Sequence, residues 1–367
     1  MNWPIIDDMN DELVNIGGQW LLNFTSNDVL GLASNRRINA AIKQAIDCYG
    51  MGSTGSRRLS GNHQVFLETE AFIADWIGKP SGVLFNSGFQ MNTGLFKALA
   101  GPGTLILADK LLHASLIDGI QESGARWHRF RHNDMVHCED ILKKYAHQYD
   151  EIFLVCESVY SMDGDTPPVH DLVRLKHQFG AKLIIDEAHS IGVFGDGGRG
   201  WAFEQSVLDE VDILLITFGK AFGLCGAMVI ANQQIAATLK SACRSYVYST
   251  ALPLPIAIGI KSSCEIIKRS DHLRKQLQGH IVKFKSLIQT PSNTHIQPIV
   301  IGHNKATSAV EKRLIDGGFY VRGVHHPTVP KGQSRLRITI NVNHSIEQLS
   351  ALSMAVSDAL HDSLVPA

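Results

Sequence analysis

The sequence lacks several features that assign proteins quickly. In its 367 residues no apolar run approaches the roughly 20 needed for a membrane-spanning helix, so no membrane association is expected. The net charge is only -1, which leaves no basic field to hold a polyanion and argues against nucleic acid as a partner. Cys48, Cys138, Cys156, Cys225, Cys243 and Cys264 form no Cys-x-x-Cys pair. Scattered in a chain this long, they read as free thiols of a reducing cytoplasm rather than as disulfides or a zinc site. The acidic start carries no signal-peptide core, so a cytoplasmic location is expected. No His-Glu-x-x-His occurs, and His128 and His132 fall on an expected strand and turn, too far apart to chelate; no metal is expected. Internal repeats and low-complexity segments are also missing.

What is present is the balance of a folded protein, 44% hydrophobic and 19% charged residues. The length predicts a large and a small domain. Short apolar runs at 82–85, 104–107, 126–130, 152–156, 182–185, 212–216 and 227–230 alternate with helical segments. Runs such as Phe153-Leu154-Val155 and Leu183-Ile184-Ile185 are apolar on both faces, as strands of a covered parallel sheet must be. That alternation predicts an α/β fold, a mostly parallel seven-stranded sheet with helices on both faces. Before it, residues 1–35 read as an extended N-terminal segment, 36–48 as a helix, and Asn62 as the cap of a helix running to about residue 76. The large domain is expected over 36–250. Past Leu252-Pro253-Leu254-Pro255 the pattern changes to a smaller C-terminal α+β domain, 251–367, entered by one long linking helix at about 255–287.

Some patterns mislead. Gly50-x-Gly52-x-x-Gly55 and Gly195-x-Gly197-x-x-Gly200 both spell the dinucleotide fingerprint, but neither lies between a strand and the helix it opens, so nicotinamide binding is not expected. Asp186-Glu187-Ala188-His189 spells a helicase box, yet no phosphate loop of the form G-x-x-x-x-G-K-[ST] accompanies it.

The chemistry gathers after consecutive strands. Lys220 sits among small residues in Thr217-Phe218-Gly219-Lys220-Ala221-Phe222-Gly223, directly past an apolar run. Desolvation there disfavours the ammonium form and favours an amine able to form a Schiff base. On its own, this stretch fits a solvent-facing loop lysine better, and the residues upstream reverse that reading. Asp186 ends another buried strand, where open α/β sheets bind their ligands; alone it could simply cap the next turn. Facing a pyridinium nitrogen about 4 Å away at an effective dielectric of ~20, it would gain roughly 4 kcal/mol and keep that ring protonated. His189 could approach the polar edge of such a ring. His113 opens a helix after the 104–107 strand and could stack on it. Gly88 and Phe89 begin a further helix whose amides can hold a phosphate.

Taken together, the chain resembles the α-oxoamine synthases, pyridoxal-phosphate enzymes of the aspartate-aminotransferase fold (fold type I). The matching stretches are 26–31, 52–57, 113–119, 132–134, 157–165, 217–220, 248–253 and 327–330, the last leading into Arg335-Leu336-Arg337. The set in this order is specific, and any one piece is not. The resemblance implies that Lys220 carries the cofactor aldimine and acts as base, that Asp186 pairs with the pyridinium, and that His113 stacks on the ring. It implies that His189 and Ser161 bind the phenolic oxygen, that Gly88 and Phe89 contact the cofactor through backbone, and that Thr217 binds the phosphate. Ser249 and Thr250 would reach in from the other subunit of a homodimer with shared active sites. Arg337 would hold the amino-acid carboxylate, with Asn27, Glu157 and Thr328 lining the substrate side. The implied reaction is an acyl transfer, a decarboxylative condensation of an amino acid with an acyl thioester. Within the family the nearest resemblance is to members that join L-alanine to a pimeloyl thioester in biotin synthesis, with acyl carrier protein or coenzyme A as carrier. Members that use glycine are the alternative, and a noncatalytic pyridoxal-phosphate-binding protein of the same fold is the rival from another class.

Overall fold

The computed structural model describes residues 4–364. Three short antiparallel strands come first, β1 (Asp8–Asn10), β2 (Leu13–Ile16) and β3 (Gln19–Asn23), the last two joined at Gly17-Gly18, both at positive φ. Helices α1 (Arg36–Tyr49) and α2 (Gln64–Ile77) follow. Strand and helix then alternate through β4 (Ser81–Phe85), α3 (Gly88–Leu99), β5 (Thr104–Asp109), α4 (Ala114–Glu122), β6 (Arg126–Phe130) and α5 (Met135–Tyr145). The alternation continues with β7 (Glu151–Glu157), α6 (Val169–Phe179), β8 (Lys182–Asp186), short α7 (Trp201–Glu204), β9 (Ile213–Thr217) and β10 (Ala227–Ala231). Helices α8 (Gln233–Ala242), α9 (Arg244–Val247), α10 (Leu254–Ile267) and α11 (Asp271–Leu287) come next. The chain closes with β11 (Ile296–Gly302), α12 (Asn304–Asp316), β12 (Phe319–Tyr320), β13 (Arg322–Val324), β14 (Ser334–Thr339) and α13 (Ile346–Leu364).

All seven expected strands of the large sheet are present, in the order β4-β10-β9-β8-β7-β5-β6. β6, β5, β7, β8 and β9 run parallel to one another; β10 is antiparallel to both β9 and β4. β5 and β10 are buried at every residue, which is why they read as unbroken apolar runs rather than alternating ones. One face of the sheet packs through Val83, Phe85, Ile106, Phe153, Val155 and Leu215 against Leu95, Phe96, Leu116 and Leu239 of the helices.

The chain divides into two compact units, one of residues 35–160 and 166–271, the other of residues 1–34, 161–165 and 272–367. Both expected boundaries therefore move. The N-terminal segment is not a separate lead-in, because β3 pairs in parallel with β12 and the backbone of Phe24 accepts a hydrogen bond from Thr339 at 2.8 Å. His344 seals this junction, stacked on Phe24 at 4.0 Å and bonded to the Asn23 carbonyl. The single linking helix is two helices. α10 belongs to the sheet unit, where Gly259 lets it close on Ile42 of α1, whereas in α11 His280 bonds the Asn341 carbonyl. The break at Ser270-Asp271 is a helix-start signal that continuing apolar periodicity concealed. α2 begins one residue late: His63 accepts the Val65 amide as cap, and Asn62 instead takes a bond from Arg57 Nε.

Close helix packing sets the entrance to the sheet. α3 and α4 approach at Gly119, where an added Cβ would collide with the Asn92 carbonyl. Gly119→Ala raises helix propensity but overpacks this crossing, so a net loss of about 1–3 kcal/mol is expected. Urea unfolding checks it: a midpoint at or above the parent's would show that the crossing has slack.

Candidate active site

Within the sheet unit the candidate residues stand at carboxyl ends of neighbouring strands. His113 follows β5, Glu157 ends β7, Asp186 ends β8, and Thr217 ends β9 with Lys220 three residues on. β5 is flanked by β6 on one side and β7 on the other, so the chain reverses its direction of travel there, the position at which open sheets leave a crevice.

Each side chain has a local reason for its place. Asp186 is 7% exposed; its Oδ1 accepts the Ala188 amide at 2.9 Å and its Oδ2 accepts Asn92 Nδ2 at a long 3.4 Å. His113 caps α4, its Nδ1 accepting the Ser115 amide, while its own backbone N–H donates to Glu157 Oε1 at 2.5 Å. Loss of water holds the His113 pKa below the usual value; the Asp186 charge opposes that shift and the Lys220 charge adds to it. The imidazole therefore feels both residues at once. Glu157, 4% exposed, is pushed up to about 8, first by burial and then by the Asp186 charge. Of these two adjacent buried carboxyls, Glu157 is thus the one that holds a proton. His189 is buried on the turn after β8, and Lys220 is half-buried on the turn after β9.

A second group forms at the start of α3. Ser87 caps the helix by accepting the Gln90 amide, and Gln90 Oε1 in turn accepts the Asn86 amide. Gln90 Nε2 also donates to Ser249 Oγ at 2.7 Å, and Asn86 Nδ2 donates to the Thr250 carbonyl at 2.8 Å. Gly88, Phe89, Ser249 and Thr250 of one chain are thereby held together. Thr217 joins them: a Cβ on Gly88 would lie 3.9 Å from its hydroxyl.

The second unit holds the remaining candidates. Arg337, half-buried on β14, donates from Nε to the Ser161 carbonyl at 2.6 Å, from Nη1 to Thr339 at 2.9 Å and from Nη2 to Asn27 Oδ1 at 3.1 Å. Burial lowers its pKa to about 10, which leaves it a cation at neutral pH. Asn27, Ser161 and Arg337 are brought together; Thr328 is exposed on the turn between β13 and β14.

Sequence reading passed over Asn86, Gln90 and Asn92. The pattern Ser87-x-x-Gln90 is a capping-box signal that could have found Gln90; nothing in the sequence marks Asn92, whose Oδ1 is buried without a hydrogen-bond partner beside Asp186. Also missed was Asp109, fully buried, which the His132-Asn133 pair satisfies through the imidazole at 2.9 Å and the Asn133 amide at 3.0 Å.

A model of the family aminotransferase class I and II matches residues 20–356. The chain belongs to that family. It is 39% identical to an 8-amino-7-oxononanoate synthase of Serratia proteamaculans (strain 568), over 96% of this chain and 92% of that one. It is 37% identical to the enzyme of the same name from Chlorobaculum parvum (strain DSM 263 / NCIMB 8327), with 93% and 90% covered. Among solved structures it is similar to a serine palmitoyltransferase from S. paucimobilis with bound PLP-myriocin aldimine, at a TM-score of 0.94 and 26% identity over 98% and 93% of the two chains. The expected resemblance to α-oxoamine synthases and fold type I are both borne out. As a family member the chain has a donor set that fits pyridoxal phosphate: free amides and a hydroxyl for a phosphate, a buried carboxylate for a ring nitrogen, and an amine beside them.

The Glu157 proton has a measurable consequence. Between about pH 4.5 and 8 the folded protein keeps a proton that the unfolded chain has lost, so stability falls as pH rises through that window. Glu157→Gln keeps the acceptor for His113 without ionising. Its melting temperature relative to the parent's should climb from pH 5 to pH 8; parallel melting profiles would exclude the raised pKa.

Proposed function

We propose that the protein is an 8-amino-7-oxononanoate synthase, which with pyridoxal phosphate condenses L-alanine with a pimeloyl thioester and releases carbon dioxide and free thiol in biotin synthesis. The observation that carries this reading is the grouping of Asp186, His113 and Lys220 at or just past the carboxyl ends of β8, β5 and β9 of one sheet, in a chain 39% identical to a relative of that name. Bound pyridoxal phosphate supplies an aldehyde that condenses with amines and a protonated ring that takes up the electrons of a carbanion. Asp186 holds the proton on the ring nitrogen, a buried charge that finds its compensation there. Lys220 Nζ removes the proton from the alanine Cα and later returns one to the same carbon. His113, whose pKa burial lowers, would lie against the ring. The amides of Gly88 and Phe89 and the Thr217 hydroxyl bind the phosphate, and His189 and Ser161 bind the phenolic oxygen.

Arg337 binds the alanine carboxylate, its plane fixed by Asn27 and the Ser161 carbonyl. Glu157 and Thr328 line the substrate side. A homodimer with shared active sites is supported by exposed large apolar side chains, Met51 at 56%, Leu59 at 82% and Tyr248 at 68%. They lie on segments that are themselves bonded, Ser56 bridging to Thr250 and the Ala251 amide to Gly55. In the dimer Ser249 and Thr250 serve the neighbouring site. The carrier of the pimeloyl group is acyl carrier protein or coenzyme A.

Lys220→Ala should abolish the visible absorbance of lysine-bound pyridoxal phosphate and lower turnover by roughly four orders of magnitude or more. Retained turnover would remove Lys220 from the chemistry. Carbon dioxide release scored over alanine and glycine with several thioesters should be greatest for alanine with the pimeloyl chain, and a glycine preference would overturn the substrate assignment. Arg337→Lys loses planar bidentate pairing, so KM for alanine should rise about tenfold or more with kcat little changed; an unchanged KM would place the carboxylate elsewhere.

A further inference from the structure

The Asp186-Glu187-Ala188-His189 stretch and the glycine pattern 195–200, which serve neither a helicase nor a dinucleotide, meet at one side chain. Glu187 is fully buried. Its Oε2 accepts the Trp201 amide at 2.8 Å and its Oε1 accepts the Ala202 amide at 2.7 Å, so both oxygens are engaged by adjacent backbone N–H groups. The Ser190 hydroxyl donates to Oε2 as well. Gly200, at φ +102°, has no room for a Cβ because the Glu187 carboxylate lies against it. The third glycine of the apparent fingerprint is therefore explained by the approach of this carboxylate.

From Glu187 a chain of bonds leads back to the candidate site. Ser190 Oγ shares a 2.7 Å hydrogen bond with Ser158 Oγ. With the Ser190 proton given to Glu187, Ser158 is the donor of that bond; the Ser158 amide donates to the Asp186 carbonyl at 2.9 Å. Ser158 adjoins Glu157, which holds the His113 amide. On the other side, the Glu187 amide donates to the Leu215 carbonyl of β9 at 2.7 Å, and the Glu187 carbonyl accepts the amides of Ser190 and Ile191, closing the turn that carries His189. Nothing in the Proposed function uses Glu187, yet it adjoins one assigned cofactor partner and stands two residues from the other.

We infer that Glu187 is a positioning residue: its carboxyl group, clamped on the Trp201 and Ala202 amides and on Ser190, fixes the turn that presents Asp186 and His189 to the cofactor. The inference rests on the reading of those two residues as partners of pyridoxal phosphate. A carboxylate is what the clamp needs, since two oxygens must each accept an N–H. A glutamine of the same shape offers one acceptor and turns an NH₂ against the second donor. Burial pushes Glu187 up to about 7, and the three donors pull against that shift.

The test compares the parent, Glu187→Gln and Glu70→Gln as holoenzymes. Glu70 is a matched buried carboxylate outside the assigned site, receiving Arg57, Lys240 and the Leu84 amide. Both variants should lose stability. Only Glu187→Gln should lose half or more of the visible circular dichroism of the bound cofactor, with kcat reduced on the order of tenfold and KM for alanine unchanged, as misplacement by a fraction of an ångström produces. Should Glu187→Gln not fold, Ser190→Ala cuts the same link and should show the same spectral loss. Parent-like dichroism and kcat in the folded variant, or losses equal to those of Glu70→Gln, overturn the positioning role. A parent that takes up no pyridoxal phosphate overturns the Proposed function instead.

Discussion

A carboxylate taken out of water must be met by donors, by a cation or by a proton, and this requirement shapes the carboxyl edge of the large sheet. Four acids lie there, and each is answered differently. Asp109 receives His132 and the backbone amides of Leu111 and Asn133. Glu157 takes the His113 amide and keeps its proton. Glu187 is ringed by two amides and a hydroxyl. Asp186 has one amide at 2.9 Å and one long contact at 3.4 Å, so it is the carboxylate to which a cationic ring adds most.

The fold makes this concentration of charge tolerable. Covered parallel strands deliver side chains to one edge, and the helices that follow present free amides at the same level. His113 and Ser87 each cap such a helix, so residues that hold the local structure also face the site. Glycine is needed where backbone or carboxylate comes closest, at Gly119 between α3 and α4 and at Gly200 against Glu187.

Much of the fold was legible in the chain. Strands buried on both faces advertise themselves as apolar runs, and all seven emerged within a residue or two of their place. The short strands β1, β2 and β13 did not, because each is only three or four residues long and none is buried throughout, so no apolar run marks them. The division into units differs from the expected one for another reason: Phe24 is partnered by Thr339 and His344, far along the chain, and no local pattern records it. In the candidate site, Lys220, Asp186 and His113 were visible because each is a polar residue at the end of an apolar run. Asn92 and Gln90 sit within helices and look ordinary until the helix is placed.

The sequence by itself marked the strands of the large sheet, the sheet class and the candidate chemistry-bearing residues, since hydrophobic period and charge position are local properties. Tertiary structure decided which acids keep a proton, which glycines are indispensable, and that residues 1–34 fold with residues 272–367. Those are properties of distance between segments far apart in the chain, and distance exists only once the chain has folded.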